Sequence, residues 1–565
     1  MKYIVRPSLV FFFIGCMLHS SRAQLLDPKE KFTKQDSLRG TIGPERSWWD
    51  VQKYDISVTP DYNTKTISGK TTISYKVVQE KHSDYLQIDL QQPLKIDMIF
   101  YDGKMYINYP AKPYYNQGNV WHIPLPKAAL NSMHTIAISY HGKPREAKYA
   151  PWDGGWIFTK DDQGRPWMTV ACQGLGASVW YPCKDHQSDE PDQGASIQVK
   201  VPDTLVVVAN GRLVSKDHAD DSTALYKWEV KDPINNYDIV PYIGKYVNFT
   251  DTLHGEKGKL DLGYWVLDYN LDKAKKQFGR DAKRTLNAFE YWFGPYPFYE
   301  DSYKLVESSH LGMEHQSATA YGNHYLNGYL GTDRSASGWG HKWDYIIVHE
   351  TAHEWFGNNI TTNDIADMWV HEGFGNYAEV LFTEYYYGKK AADEYVQGIR
   401  RNVLNDRPVI GPYGVNEEGS TDMYDKGANM LHTIRQVIND DSVFRKILRG
   451  LNKDFYHQMV DSKNVEAYLS KQSGKNLSKI FDQYLRTTKI PQLEYKIQGD
   501  KLSYRWTNCI PGFDMPIRLE DNGDPIAIGW LHPTTEWKNT SITADMKSKG
   551  LLADKNFYIT VKKVK

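Results

Sequence analysis

The chain has 565 residues, 41% apolar and 24% charged, with 68 Lys+Arg against 69 Asp+Glu for a net charge of −1. That balance excludes a disordered chain and an electrostatic nucleic-acid binder, and the length suits about three or four domains. With 40 Tyr and 17 Trp, the composition suits β-rich domains and grooves that grip extended chains.

Lys2 and Arg6 precede an apolar stretch from Leu9 to Leu18, and Ser21-Arg22-Ala23 offers small residues before Gln24; residues 1–23 therefore read as a signal peptide. The product is expected to be exported, periplasmic or extracellular. A lipid anchor at Cys16 is the weaker reading, because Phe13 stands where bacterial lipoprotein signals usually carry Leu. No later run approaches the roughly 18 uninterrupted apolar residues of a membrane span, so no transmembrane segment is expected. Beyond the signal, Cys172, Cys183 and Cys509 are too few for a disulfide framework and lack zinc-ribbon spacing; at most one bridge could form.

Residues 24–47 read as an N-terminal extension. Residues 48–250 alternate apolar and polar in short runs, among them Ile56 and Val58, Ile73, Tyr75 and Val77, and Ile197, Val199 and Val201. This predicts an N-terminal antiparallel β domain. The period then changes to three or four at Phe278, Ala282, Leu286, Phe289 and Phe293, a helix ended by Gly294-Pro295. Helices dominate a second domain over 251–490. After Ile490-Pro491 the two-residue period returns in Leu493, Tyr495 and Ile497 and in Leu502, Tyr504 and Trp506, with turns at Gly499-Asp500 and Asn522-Gly523. Residues 491–565 thus read as a small C-terminal β domain, and the fold class as α+β and multidomain.

The chemistry concentrates at His349-Glu350-Thr351-Ala352-His353, which follows the apolar run Tyr345 to Val348. Residues four apart on a helix share a face, so His349 and His353 can point a ring nitrogen each at one metal while Glu350 flanks it. A catalytic zinc needs a third protein ligand and an open position. Candidates are His371 and Glu372, the latter 18 intervening residues past His353, room for a loop at Asn358 to Asp364 and a second helix from about Ala366. Glu379, two turns beyond Glu372 on the same face, is placed to hydrogen-bond the second nitrogen of a ligand histidine.

These residues, with Trp355-Phe356-Gly357-Asn358 and Trp369-x-x-Glu372-Gly373-Phe374, resemble the aminopeptidase N and leukotriene hydrolase family of gluzincin metallopeptidases. Leu311-Gly312-Met313-Glu314-His315 is similar to the family's G-x-M-E-N strand, Tyr424-Asp425-Lys426-Gly427 to its Y-x-K-G segment, and Pro182-Cys183 with Asp189-Glu190-Pro191 to its P-C-x-D-E-P run. The departures are His315 for Asn, Leu311 for Gly, and the interruption from Lys184 to Ser188.

The resemblance implies a thermolysin-like catalytic domain between the N-terminal β domain and a small β-sandwich, holding one zinc per chain. It makes Glu372 the third ligand, with His371 a neighbour where the family usually has Asn, and Glu350 the general base. Tyr424 becomes the hydroxyl donor to the oxyanion. It assigns Glu314 to the substrate's α-ammonium and Gln173, where family aminopeptidases usually carry Glu, to a neutral acceptor beside it. The Gly312-Met313 backbone would pair with the substrate as an added strand.

The expected function is a secreted or periplasmic zinc aminopeptidase acting on peptides with a free N-terminus through a zinc-activated water. Alternatives are a gluzincin hydrolase with another principal substrate (endopeptidase or epoxide hydrolase), kept open by Gln173, and a catalytically dead exported scaffold. The family commonly continues into a helical domain that roofs the site; with about 75 residues after Ile490, an open groove is expected instead unless a partner subunit closes it. No sequence signal points to an oligomeric state.

Overall fold

The computed structural model describes residues 31–106, 113–519, 529–542 and 551–565; the signal segment 1–23 with Cys16, and the Asn522-Gly523 turn, lie outside the described residues. The first half holds an eight-stranded sheet and smaller sheets that share one buried core. Strand β1 (Trp49–Asp61) buries Val51, Tyr54, Ile56 and Val58 on one face, the alternation expected of a half-buried strand. β1 runs antiparallel to Thr66–Val77 but parallel to β2 (Ala195–Pro202), with Tyr54 opposite Ala195 and Val58 opposite Val199. Within the expected antiparallel β domain this parallel strand pair is the departure. A parallel pair needs a long crossover, which residues 62–194 supply, and alternation within a strand carries no information on its partner's direction.

The expected boundary at residue 250 is also displaced, because β3 (Tyr246–Gly255) runs through it. β3 and β4 (Gly258–Leu267) form a hairpin that joins β5 (Tyr303–Glu307), β6 (Gly312–Met313) and β7 (Thr319–Tyr321) in the order β3-β4-β5-β7-β6. A polar–apolar pattern reports a strand without reporting the sheet that takes it in. β6 lies at the sheet edge, paired only on its β7 side.

Helix α1 (Leu271–Phe293) buries Phe278, Ala282, Leu286, Phe289 and Phe293 and stops at Gly294. It packs on α2 (Tyr345–Ala352), which packs on α3 (Trp369–Tyr387), and α3 on α4 (Asp425–Ile438). Between α2 and α3 the expected loop contains a short strand, β8 (Ile360–Thr362), parallel to β9 (Gln458–Val460). Three residues are too few to show a period, and their partner lies far along the chain. The expected helix start near Ala366 is a single 3₁₀ turn, Ile365–Asp367, ahead of α3.

At the C-terminal end, β10 (Gln492–Gln498) and β11 (Lys501–Thr507) turn at Gly499 within a four-stranded sheet, beside a two-stranded ribbon. Cys172, Cys183 and Cys509 are unpaired. No described helix is long and apolar enough to cross a membrane.

Candidate active site

Helix α2 is set by its cap. Asp344 Oδ1 accepts from the backbone N–H of Ile346 and Ile347, while Gln277, Tyr321 and Asn323 donate to the same carboxylate. Every residue of α2 is buried, so the histidines lie inside the protein and not on a wet helix face. The helix ends in a wide π turn over Glu354–Asn358, where Gly357 takes φ +138°, a region that side chains rarely enter. That turn presents the Phe356 carbonyl to His353 Nδ1 at 3.0 Å.

His349 Nε2 and His353 Nε2 are 3.4 Å apart, and Glu372 Oε2 lies 3.5 Å from the first and 3.4 Å from the second. Ligands about 2.1 Å from a tetrahedral metal stand about 3.4 Å apart, so the triangle is the size that zinc requires. These three are the one His/Cys/Asp/Glu group among the described residues close enough to hold a metal ion. Glu372 Oε2 is buried without a hydrogen-bond partner, as a coordinating oxygen would be.

Both Nδ1 atoms are engaged on the outer side: His349 with Glu379 Oε1 at 2.8 Å, His353 with the Phe356 carbonyl. Each ring is thereby oriented with Nε2 toward the cluster. Tyr395 in turn donates to Glu379 Oε2 at 2.6 Å. The electrostatics demand positive charge: burial disfavours a charged ring, yet Glu372 offsets this and holds His353 up at about 9. Burial likewise opposes ionisation of Glu372, but His353 and His349 hold its carboxyl below the usual range.

Of the two candidates next to each other, Glu372 faces the histidines. His371 turns away, its Nε2 accepting from the Thr362 N–H of β8 at 3.0 Å.

Glu350 lies beside the triangle, facing a cavity of about 270 Å³ lined also by Gln173, Glu314, Tyr329 and Tyr424. Burial pushes its carboxyl up to about 7, against the pull of His349 and His353. β6 passes directly over it: a Cβ on Gly312 would stand 2.6 Å from Glu350 Oε1, so glycine is the residue that fits. Met313, the second residue of β6, lines the same cavity. The Tyr424 ring stacks near His349, centroids 5.9 Å apart, where α4 begins.

Glu314 is buried at one end of the cavity, where Gln173 Nε2 and the Tyr237 hydroxyl, the latter at 3.0 Å, both donate to its Oε1. The Gln173 amide nitrogen being thus committed, its carbonyl oxygen remains as the acceptor. Burial raises the Glu314 carboxyl above its ordinary value. His315 braces the turn behind it: the Tyr242 hydroxyl, which donates to the Ala318 carbonyl, accepts from His315 Nδ1 at 2.6 Å. The interruption from Lys184 to Ser188 folds inward, with Lys184 buried and paired to Asp189.

Sequence reasoning missed Tyr237, Tyr345 and Tyr395. Tyr345 was within reach, since it lies four residues before His349 on the same helix, where its hydroxyl approaches His349 Nδ1 at 3.5 Å. Tyr237 and Tyr395 carry no local signal that separates them from the other tyrosines.

Two family models match the chain: the Peptidase M1 N-terminal domain over residues 51–237 and the Peptidase family M1 domain over residues 279–484. The chain is 22% identical over 461 residues to endoplasmic reticulum aminopeptidase 1 of Mus musculus, covering 74% of this chain and 47% of the relative. It is 21% identical over 509 residues to aminopeptidase N of Lactococcus lactis, covering 84% and 56%. The chain thus spans about half the length of these relatives.

In fold it matches a crystal structure of a mutant M1 zinc metallopeptidase from Deinococcus radiodurans bound to a Tyr-Ser-Ala substrate. The TM-score is 0.66 at 20% identity, over 79% of this chain and 96% of that one. The two models follow each other in order, and the histidine–glutamate triangle falls inside the second; the chain belongs to peptidase family M1.

Proposed function

We propose that this chain is a zinc aminopeptidase that hydrolyses the N-terminal residue from peptides. The observation that carries the reading is the placement of Glu314, a carboxylate pre-arranged by Gln173 and Tyr237 in the same cavity as the His349–His353–Glu372 triangle. The triangle would hold one zinc, with Glu379 fixing the His349 tautomer. Bound there, zinc supplies a Lewis acid that polarises a carbonyl and acidifies a water.

The remaining work falls to the chain's own groups. Glu350, with its carboxyl near 7, takes the proton of the attacking water and passes it to the leaving amine. Tyr424 offers its hydroxyl to the oxyanion as charge develops. The unpaired edge of Gly312-Met313 aligns the peptide as an added strand, which reads backbone and tolerates many sequences.

Glu314 selects substrates with a free α-ammonium, because a buried carboxylate facing an acetylated nitrogen keeps its neutral donors Gln173 and Tyr237 but lacks a charged partner. Gln173 adds a neutral acceptor. The export signal read in residues 1–23 supports an activity in the periplasm or outside the cell, which N-terminal sequencing of the secreted protein checks.

A panel of aminoacyl-naphthylamides beside their N-acetylated forms, with and without a chelator, tests the reading. Chelator-sensitive cleavage confined to the free amines is expected. Equal rates on acetylated peptides cut internally would replace it with the endopeptidase alternative.

A further inference from the structure

The cavity has a second charged end. Among its described lining residues Arg334 is the one lysine or arginine. Glu314 is bonded to Gln173 and Tyr237, whereas Arg334 is bonded to the Tyr345 hydroxyl, which approaches His349 Nδ1 at 3.5 Å. A carboxylate and a guanidinium thus line the same cavity as the triangle.

Arg334 is held in place. Its Nη1 donates to the Tyr345 hydroxyl at 2.6 Å and its Nη2 to Asp425 Oδ2 at 2.8 Å. Its guanidinium carbon lies 5.4 Å from the Tyr345 ring centroid and 6.0 Å from that of Tyr329. A guanidinium has five N–H donors, and these two bonds leave the rest of the fork available. The side chain is 24% exposed and lines the cavity. Asp425 does not exhaust the group: it is itself bonded by Asn376 on its other oxygen, and its effect on Arg334 is to fix one edge of a planar fork.

With the ammonium at Glu314 and the scissile carbonyl at the triangle, the second residue, on the leaving side, is left to the rest of the cavity lining, which includes Tyr345 and Arg334. We propose that Arg334 is a specificity-determining residue that binds a carboxylate on that second residue. The inference rests on the aminopeptidase reading. The carboxylate is either the α-carboxylate of a dipeptide or the side chain of an acidic second residue; both offer the same planar pair of oxygens.

The test uses the zinc-loaded full chain with Ala-Ala, Ala-Ala-NH2, Ala-Glu-NH2 and Ala-Gln-NH2. Wild type is expected to favour Ala-Ala over its amide, or Ala-Glu-NH2 over Ala-Gln-NH2, by about tenfold in kcat/KM, mostly through KM. The pair that shows the preference names the source.

Arg334→Gln should bring that ratio to about 1, whatever it does to the absolute rates, and Arg334→Lys should keep part of it. Calorimetric binding of the same four peptides to Glu350→Gln should repeat the preference without turnover. Ratios near 1 in wild type, or a ratio unchanged in Arg334→Gln, would overturn the proposal and leave Arg334 as a brace for Tyr345. If Arg334→Gln does not fold, the wild-type and Arg334→Lys ratios decide. Cleavage of all four peptides at one rate sinks only the Arg334 assignment; no cleavage of any, nor of alanyl-naphthylamide, sinks the aminopeptidase reading, and the binding ratios then judge Arg334 alone.

Discussion

His349, His353, Glu372 and Glu379 are brought together by two adjacent helices, the first pair four apart with His353 capping α2 and the second seven apart within α3. Glu314, Gln173 and Tyr237 come together from a strand end and two loop segments, 141 and 77 positions apart in the chain. The metal half of the site is thus positioned by helix geometry inside one packed core. The anchor half depends on how the N-terminal region seats against the edge of the β3–β7 sheet. Damage to the first should act on metal and chemistry, and damage to the second on the choice of substrate.

The largest effect separates the two roles within the metal half. Glu350→Gln should lose about a thousandfold or more in kcat while retaining one zinc per chain, because Glu350 borders the triangle without belonging to it. Elemental analysis alongside turnover checks this; a variant that loses its zinc would move Glu350 into the ligand set.

Next comes the anchor. Glu314→Gln removes the charge and keeps the shape, and the loss of a buried charge-assisted bond, on the order of 2–4 kcal/mol, corresponds to roughly 30- to 1,000-fold in kcat/KM on free peptides. Zinc content should be unchanged, and the preference for free over N-acetylated substrates should collapse. An unchanged preference would show that the anchor half does not select the amino terminus.

A smaller effect is expected at the outer partner of His349. Glu379→Gln keeps a hydrogen-bonding group but removes the carboxylate that orients the ring, which typically costs about 10- to 100-fold in metal affinity. Activity should return when zinc is added in excess. Failure of added zinc to restore it would mean that Glu379 acts on the chemistry directly.

How much could be read from the sequence follows the same division. The motif helix, the second carboxylate two turns along α3, and the apolar stripe of α1 are all local periodicities, and each stands where its spacing indicates. The parallel pairing of β1 with β2, the three-residue strand β8, and the passage of β3 through residue 250 depend on partners far along the chain, which no window of residues contains. Glu314 and Gln173 were found only through resemblance to a family. Tyr237, which helps hold Glu314, and Arg334, tied to Asp425 across 91 positions, were not found at all, because a turn residue has no period to betray it.

The smallest effect concerns the seam between the two regions. Glu190, from the N-terminal half, is buried and accepts from the Thr361 hydroxyl of β8 at 2.7 Å. Burial raises its carboxyl to about 8, helped by the charge of Asp189 and opposed by the Thr361 bond. The folded protein therefore holds this proton more tightly than the unfolded chain, whose carboxyl titrates at about 4.5. The contribution to stability is complete below about 4.5 and is lost as pH rises through about 8, so stability should fall between those values. Glu190→Gln imitates the protonated state and should flatten that fall, narrowing the Tm difference between pH 5 and pH 8.5 by about 2 °C. Measuring both proteins by calorimetry isolates Glu190 from other titrating groups, which contribute equally to each. Parallel Tm curves would mean that the seam tolerates an ionised Glu190, and that the anchor half is seated by packing without help from this proton.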